Sequence, residues 1–343
     1  MNKKLLSRDD FRESVFARDG HTCIFCPEKA QDAHHILERR LFTDGGYYLN
    51  NGASVCGEHH ILCEKTLITV EEVREKAGVS KPVIPDHLYS DQVYTKWGDV
   101  ILPNGQRTKG ELFDDASVQK ILKEAGVLHL YTDYVKYPRT YHLPFSPGLN
   151  DDDRVLQSTN IFHNRRVIVS EKLDGEQTSM YRTYIHARSV DSRNHPSRDW
   201  VKNFWSTIAY DIPERWRICG ENVYAQHSIV YSDLDTYFYG FSIWDDRNVC
   251  LHWDDTVEWF NLLGINHPRV LYDGIWDERI IRDIWDDSLW DVCEGFVVRL
   301  ADEFPFARFK DSVGKYVRKN HIQTTKHWMH GQAVIPNKLR IEE

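Results

Sequence analysis

Two short chelating knuckles constrain this chain more than any other feature: Cys23-Ile24-Phe25-Cys26 and Cys56-Gly57-Glu58-His59. Three thiolates and one imidazole at these spacings can close a tetrahedral zinc site. A segment as short as residues 1–68 buries little apolar surface. A structural zinc, worth roughly 10–16 kcal/mol of apparent folding free energy, is therefore expected to decide whether it folds. Cys63 is an alternative ligand in place of Cys56 or His59. Four of the seven cysteines lie in this segment, a usage that favours thiols and metal ligands over disulfides.

Charge is unevenly spread. The net charge of −9 argues weakly against a nucleic-acid partner. From Arg308 to Lys326, however, six basic residues (Arg308, Lys310, Lys315, Arg318, Lys319, Lys326) face one acid, Asp311. From Tyr272 to Glu294 eight acids face two arginines. That separation suits a directional anion-binding face. No apolar run approaches the ~18 residues of a membrane span, and the N-terminal MNKKLLSRDDFRES lacks an apolar signal core. The protein is expected in the cytoplasm, away from membranes.

The length of 343 residues allows about two domains. After the knuckles, TVEEVREKAG reads as a helix stopped by Gly78, DVILPNGQRTKGELF as a hairpin turning at Asn104-Gly105, and DDASVQKILKEAG as an Asp-capped amphipathic helix. YPRTYHLPFSPGLNDDD is turn-rich and punctuates the chain near residue 140. Beyond it, RRVIVSEKLDG, TSMYRTYIHARS, RWRICGENVYAQ, TYFYGFSIWD, CEGFVVRL and FARFKD read as strands. Between them DWVKNFWSTIAY and the Asp-capped, Gly-stopped DDTVEWFNLLG read as helices. The second domain is thus expected to be α+β with mainly antiparallel strands.

Between the knuckles lie DAHHI and LNNGASVC, and here the sequence resembles the HNH nuclease family, the ββα-metal fold. The resemblance spans about residues 15–68. It implies that His35 is the general base on water, that His34 and His60 hold a divalent ion, and that Asn51 orients His35. A neutral imidazole can take a proton near pH 7, and a divalent ion stabilises phosphate charge. A module of this shape can also bind nucleic acid without cutting it.

Lys172 ends an apolar strand, after Val167, Ile168 and Val169, and a turn follows at once. A solvated lysine, with a pKa of ~10.4, is a poor nucleophile; an apolar wall or cationic neighbours must disfavour its ammonium form. Arg308 and Lys310 are candidates for those neighbours. The run EKLDGE resembles motif I, K-x-D-G, of the covalent nucleotidyltransferases, which include polynucleotide ligases and capping enzymes. ARS around Arg188, CGEN around Glu221, YFYGFSIWD, CEGFVVR around Glu294 and RFK at Arg308–Lys310 resemble the motifs that follow, in the expected order. The resemblance implies that Lys172 carries AMP, that Phe241 or Tyr239 stacks on adenine, and that Glu171 reads the adenine amino group. It also implies that Glu221 holds the ribose, that Glu294 helps place Mg²⁺, and that Arg308 and Lys310 neutralise the triphosphate, with Lys315 an alternative to Lys310.

Gln177 stands where DNA ligases usually carry the arginine of K-x-D-G-x-R, and 33 residues follow Lys310, too few for the OB-fold of DNA ligases and capping enzymes. KYPRTYHLPFSPG and GKYVRKNHIQTTKHW also resemble the RNA ligases, over about residues 130–330. The expected fold is α+β: an ATP-grasp-like nucleotidyltransferase of antiparallel sheets with helices (residues 130–343), preceded by a zinc-stabilised ββα-metal module (1–68) and a structured connector (69–129). The expected function is ATP-dependent RNA ligation through lysyl-AMP, sealing 5′-phosphate to 3′-hydroxyl ends or nicks, with ATP, Mg²⁺ or Mn²⁺, and Zn²⁺. The expected partner is RNA or an RNA/DNA nicked duplex. The alternatives are an HNH endonuclease whose ligase-like half is a nucleic-acid platform, and a DNA nick ligase whose zinc module replaces the OB-fold.

Overall fold

The computed structural model describes residues 4–81, 83–90, 92–150, 153–286, 289, 292–319 and 334–340. Lys326 and the whole HIQTTKHW stretch lie outside the described residues. The chain divides into two compact units, Met1–Val135 and Lys136–Glu343.

In the first unit, Ser7 caps α1 (Arg8–Arg18) by accepting from the Asp10 N–H at 3.1 Å. The helix buries Phe11 and Val15. Strands β1 (Asp32–His35) and β2 (Gly52–Val55) pair antiparallel, with His35 opposite Gly52. A side chain at Gly52 would meet Val15 and Phe11 at 2.4 and 2.8 Å, so the close seating of α1 on the hairpin requires glycine. Helix α2 (Gly57–Glu64) follows β2 directly. Helix α3 (Val70–Lys76) starts on a Thr69–Glu72 capping box and stops before Gly78, at φ +66°. Strands β3 (Val93–Tyr94), β4 (Val100–Ile101), β5 (Arg107–Thr108) and β6 (Tyr131–Thr132) form one small sheet in that order, and β4 and β5 turn through Gly105 as expected. Between β5 and β6 lies α4 (Ala116–Glu124), capped by Asp115. Ile36, Leu37, Leu41 and Cys63 share a buried cluster with Val70, Val73 and Tyr94, so residues 69–129 pack with the first 68 in one unit.

In the second unit, β7 (Tyr141–His142) and β8 (Arg166–Lys172) are followed by β9 (Glu176–Tyr181) and β10 (Ile185–Ala187), two strands joined by a turn. Helix α5 (Asp199–Ile208) precedes β11 (Arg217–Asn222), β12 (Phe238–Trp244) and β13 (Val249–Cys250). Then come α6 (Trp253–Leu263), β14 (Val270–Ile275), α7 (Glu278–Arg282), β15 (Gly295–Leu300), β16 (Phe304–Pro305) and β17 (Val313–Val317). One sheet runs β14-β8-β15-β17-β7 and the other β10-β9-β11-β12-β13-β16. Among the described residues, only the β17–β7 pairing of strands in these two sheets is parallel. Val167 and Val169 of β8 share a core with Cys219 of β11 and Trp244 of β12, while Ile168 on the other face packs on Trp253. Strand β8 is therefore covered on both sides, which is why its sequence is a continuous apolar run rather than an alternation.

Two local expectations are corrected. Helix α6 is capped by His252, whose ring accepts from the Asp254 N–H; Asp254 and Asp255 occupy its first turn, where acids favour the dipole. The FARFKD segment is not a strand but a 3₁₀ helix, Phe306–Asp311. Its aromatic spacing of three fits a 3₁₀ turn, and Phe309 is 1% exposed against Trp244 and Tyr137.

Candidate active site and metal centres

A cavity of about 440 Å³ opens in the second unit, and Lys172, at the end of β8, lines it. The Lys172 ammonium is in direct ion-pair contact with the Glu294 carboxylate. The backbone ladder enforces this: the Glu294 N–H donates to the Lys172 carbonyl at 3.0 Å, and Gly295 sits opposite Lys172 in register. Gly295 must be glycine, because a Cβ there would lie 1.9 Å from the Tyr316 carbonyl oxygen. The turn after Lys172 has the same logic. A Cβ on Gly175 would lie 2.5 Å from the Asn222 carbonyl, and the Gly175 N–H donates to Glu221 Oε1 at 3.2 Å. Asp174 accepts from the Ile229 N–H at 2.9 Å, and its own N–H donates to the Tyr231 hydroxyl at 2.8 Å, so the K-x-D-G turn is held from both sides.

The second lysine of the cavity is Lys315 on β17. Burial and the neighbouring Lys172 charge lower its pKa to about 8, with Asp153, at 3.6 Å, acting in the opposite direction. Asp153 also meets the buried His142 at 3.3 Å. Burial pushes the Glu221 carboxyl up to about 7, although the Lys172 charge opposes it. Glu171 is buried and pushed upward by burial, while its ion pair with Arg269 at 2.5 Å pulls it down.

The remaining expected residues separate. Phe241 and Arg188 line the cavity, and Phe241 meets Tyr137 edge-on at 5.2 Å. Tyr239 faces a different buried cluster with Leu173, Val223 and Tyr231. The 3₁₀ helix brings Phe309 to the cavity wall, but neither Arg308 nor Lys310. Arg308 is exposed and pairs with Asp311 at 3.1 Å. The sequence reading missed Arg299, whose guanidinium is buried at the cavity and donates to the Leu251 carbonyl at 2.8 Å. Strand alternation through Gly295, Val297 and Arg299 was the available signal. It also missed Arg139 in the lead-in segment, another cavity residue.

In the first unit, the ligand atoms of Cys23, Cys26, Cys56 and His59 lie within 4.8 Å of one another. Cys26 Sγ is 3.8 Å from Cys56 Sγ and 3.7 Å from His59 Nδ1. A tetrahedral zinc with ordinary bond lengths has edges of about 3.8 Å between sulfurs and about 3.6 Å from sulfur to nitrogen, which these two distances match, while Cys56 Sγ lies closer, 3.1 Å from His59 Nδ1. The His59 ring stacks on Phe25 at 5.2 Å, which fixes its plane. Cys63 does not join them; it is a core residue packed with Ile36 and Val73, and burial raises its pKa to about 12.

A second set gathers His34 from β1 with His60 and Glu64 from α2, again within 4.8 Å. Glu64 Oε1 is 3.3 Å from His60 Nε2 and 3.6 Å from His34 Nδ1. His34 is 3% exposed, and its Nδ1 has no hydrogen-bond partner, which suits a metal ligand. The sequence signal for Glu64 was its i,i+4 spacing from His60 on a helix. His35 stacks on Phe11 at 4.6 Å, and burial holds its pKa down near 4. Asn51 does not bond the His35 ring. Its amide donates to the Leu37 and Gly46 carbonyls and its Oδ1 accepts from the Leu37 N–H, bracing the loop after His35.

Residues 165–317 match the RNA ligase family model. That match covers the Lys172 cavity strands from β8 to β17. Among solved structures, the chain is similar to an archaeal ATP-dependent RNA ligase, form 1 (TM-score 0.39, 16% identity, 54% of this chain and 48% of that one). It is also similar to form 2 of that description (TM-score 0.38, 16% identity, 53% and 48%) and to a Naegleria gruberi RNA ligase with PPi (TM-score 0.35, 17% identity, 53% and 57%). The chain thus spans about half the length of the structures it matches. No curated protein matches it. Among the described residues no helix is long and apolar enough to cross a membrane.

Proposed function

We propose that the protein is an ATP-dependent polynucleotide ligase acting on RNA or an RNA/DNA nick, which joins a 5′-phosphate to a 3′-hydroxyl through a lysyl-AMP intermediate. The observation that carries the reading is Lys172, in contact with Glu294, at a cavity that also holds Lys315. Lys172 Nζ, once it has lost a proton, attacks the α-phosphorus of ATP. The new P–N bond forms as the bond to the pyrophosphate oxygen breaks. Lys315 and Arg139 supply positive charge for the phosphates, and Glu294 accepts from the lysine before attack. Phe241 offers an aromatic face to the base, and Glu171, held by Arg269, an acceptor for its amino group. A divalent ion bound with the triphosphate would add charge neutralisation. AMP then passes to the 5′-phosphate, and the 3′-hydroxyl displaces it.

For the first unit the reading is a zinc-stabilised HNH-type module that binds nucleic acid. The β1–β2–α2 order, the Cys23/Cys26/Cys56/His59 set and the His34/His60/Glu64 set support it. His34, His60 and Glu64 would hold a divalent ion, with His35 as the adjacent base. Incubation with α-labelled ATP followed by denaturing electrophoresis tests the main reading: a ligase retains covalent label at Lys172, and an endonuclease with a ligase-like platform does not.

A further inference from the structure

Lys96 lies in the tight turn between β3 and β4, outside the knuckle segment, yet it reaches the His34–His60–Glu64 cluster. Its side chain is 6% exposed. The ammonium is 2.6 Å from Glu64 Oε1 and 3.3 Å from Glu38 Oε2. Glu64 Oε1 is the same oxygen that faces His60 Nε2 and His34 Nδ1. The turn is locked in place. The Glu38 N–H donates to the Lys96 carbonyl at 2.9 Å, and the Trp97 indole donates to the Glu64 carbonyl at 2.9 Å. Within the turn, Thr95 and the buried Asp99 bond each other at 2.7 Å. A lysine anchored on both flanks and withdrawn from water is a fixed part of this cluster, not a solvated surface group.

We propose that Lys96 is a built-in cation that competes with a divalent metal ion for Glu64 and so sets the metal affinity of the His34–His60–Glu64 cluster. A divalent ion on Glu64 Oε1 must displace the ammonium or sit beside it, and like charges at that range repel strongly where water is excluded. Glu38 offers the displaced ammonium a second carboxylate, so the lysine need not leave the site. The consequence is a module that keeps its structural zinc but holds a second ion weakly. The inference rests on reading the cluster as a divalent site.

The test is a Mn²⁺ titration of the full, zinc-loaded chain, following free Mn²⁺ by electron paramagnetic resonance. His34→Ala identifies the cluster: if it leaves the Mn²⁺ isotherm unchanged, the reading of the cluster itself fails. Given a His34-dependent site, Lys96→Met should bind Mn²⁺ at least tenfold more tightly than wild type, and Lys96→Arg within threefold of it. Unchanged or weaker binding by Lys96→Met overturns the proposal. So does Lys96→Arg binding as tightly as Lys96→Met, since packing rather than charge would then be responsible. If the lysine variants lose their zinc and do not fold, Glu38→Gln decides. By leaving the ammonium to Glu64 alone it should weaken Mn²⁺ binding at least threefold, and unchanged or tighter binding overturns the proposal.

Discussion

Lys172 and Glu294 are joined twice, side chain to side chain through an ion pair and backbone to backbone through the Glu294 N–H and the Lys172 carbonyl. The backbone bond fixes the spacing of the two residues, which keeps the Glu294 carboxylate within reach of the Lys172 amine. Glu294 can therefore hold Lys172 in one direction before a nucleotide arrives.

Lys172→Ala should abolish covalent labelling by ATP and all sealing that starts from ATP. Lys172 is partly exposed, so the fold should survive, with the unfolding temperature within a few degrees of wild type. Sealing of a pre-adenylated 5′ end should persist at a measurable rate, because that step needs no free amine. Residual ATP labelling of the variant would refute the assignment.

The cavity separates Lys315 from Arg308 and Lys310. Lys315→Ala should slow single-turnover adenylation by about 100-fold or more, the usual cost of losing a preorganised electrostatic partner. Arg308→Ala and Lys310→Ala should each change it by less than about fivefold. An inverted ranking would return the phosphate role to the 3₁₀ helix.

Lys315 also imposes a pH signature. Its pKa is lowered to about 8 in the fold, against an ordinary ~10.4. Between those values the unfolded chain carries a proton that the folded chain lacks. Lys315 therefore makes stability rise with pH across that window, and below pH 8 the cost of its buried charge is fully present. Activity runs the other way, because the neutral amine no longer serves the phosphates. The ratio of wild-type to Lys315→Arg adenylation rates should fall as pH rises through 8, measured by single turnovers from pH 6.5 to 10. A flat ratio would show that the charge of Lys315 is not used.

Zinc should be present at one tightly held equivalent in the knuckle site. Cys56→Ser should lose it and unfold the first unit while ATP labelling of Lys172 continues. Atomic absorption and limited proteolysis report the two halves of this outcome, and folded, zinc-free wild-type protein would contradict it.

Because Trp97 bonds the Glu64 carbonyl and Arg107 bonds Thr66, a cut at residue 68 would divide a packed unit. Deleting residues 1–135 is the cleaner experiment. Adenylation by ATP should stay nearly normal, while nick sealing should weaken strongly through the loss of the proposed nucleic-acid-binding module on the same chain. His35→Ala should remove any metal-dependent cutting and leave sealing largely intact. Equal sealing by the truncated chain would make the two halves independent.

The knuckles, the K-x-D-G turn and most strands and helices were legible in the sequence because each is written in short-range spacing. Two ligand residues per knuckle, an apolar run ending in lysine, and caps and glycines at helix ends need no distant contact to be recognised. Tertiary structure decided which charged and aromatic side chains share a space. FARFKD has strand-like composition, but burying Phe309 winds it into a 3₁₀ helix and turns Arg308 to solvent. Phe241 and Tyr239 are two residues apart on β12, yet one lines the cavity and the other packs behind the Lys172 turn. Asn51 was legible as important, but its bonds to Leu37 and Gly46 depend on the fold of the loop. Lys96 enters the His34–His60–Glu64 cluster from outside the segment that holds its other members, through a turn anchored to Glu38 and Glu64. A local pattern records the preferences of adjacent residues, whereas a site gathers groups by long-range packing, which no single stretch of sequence contains.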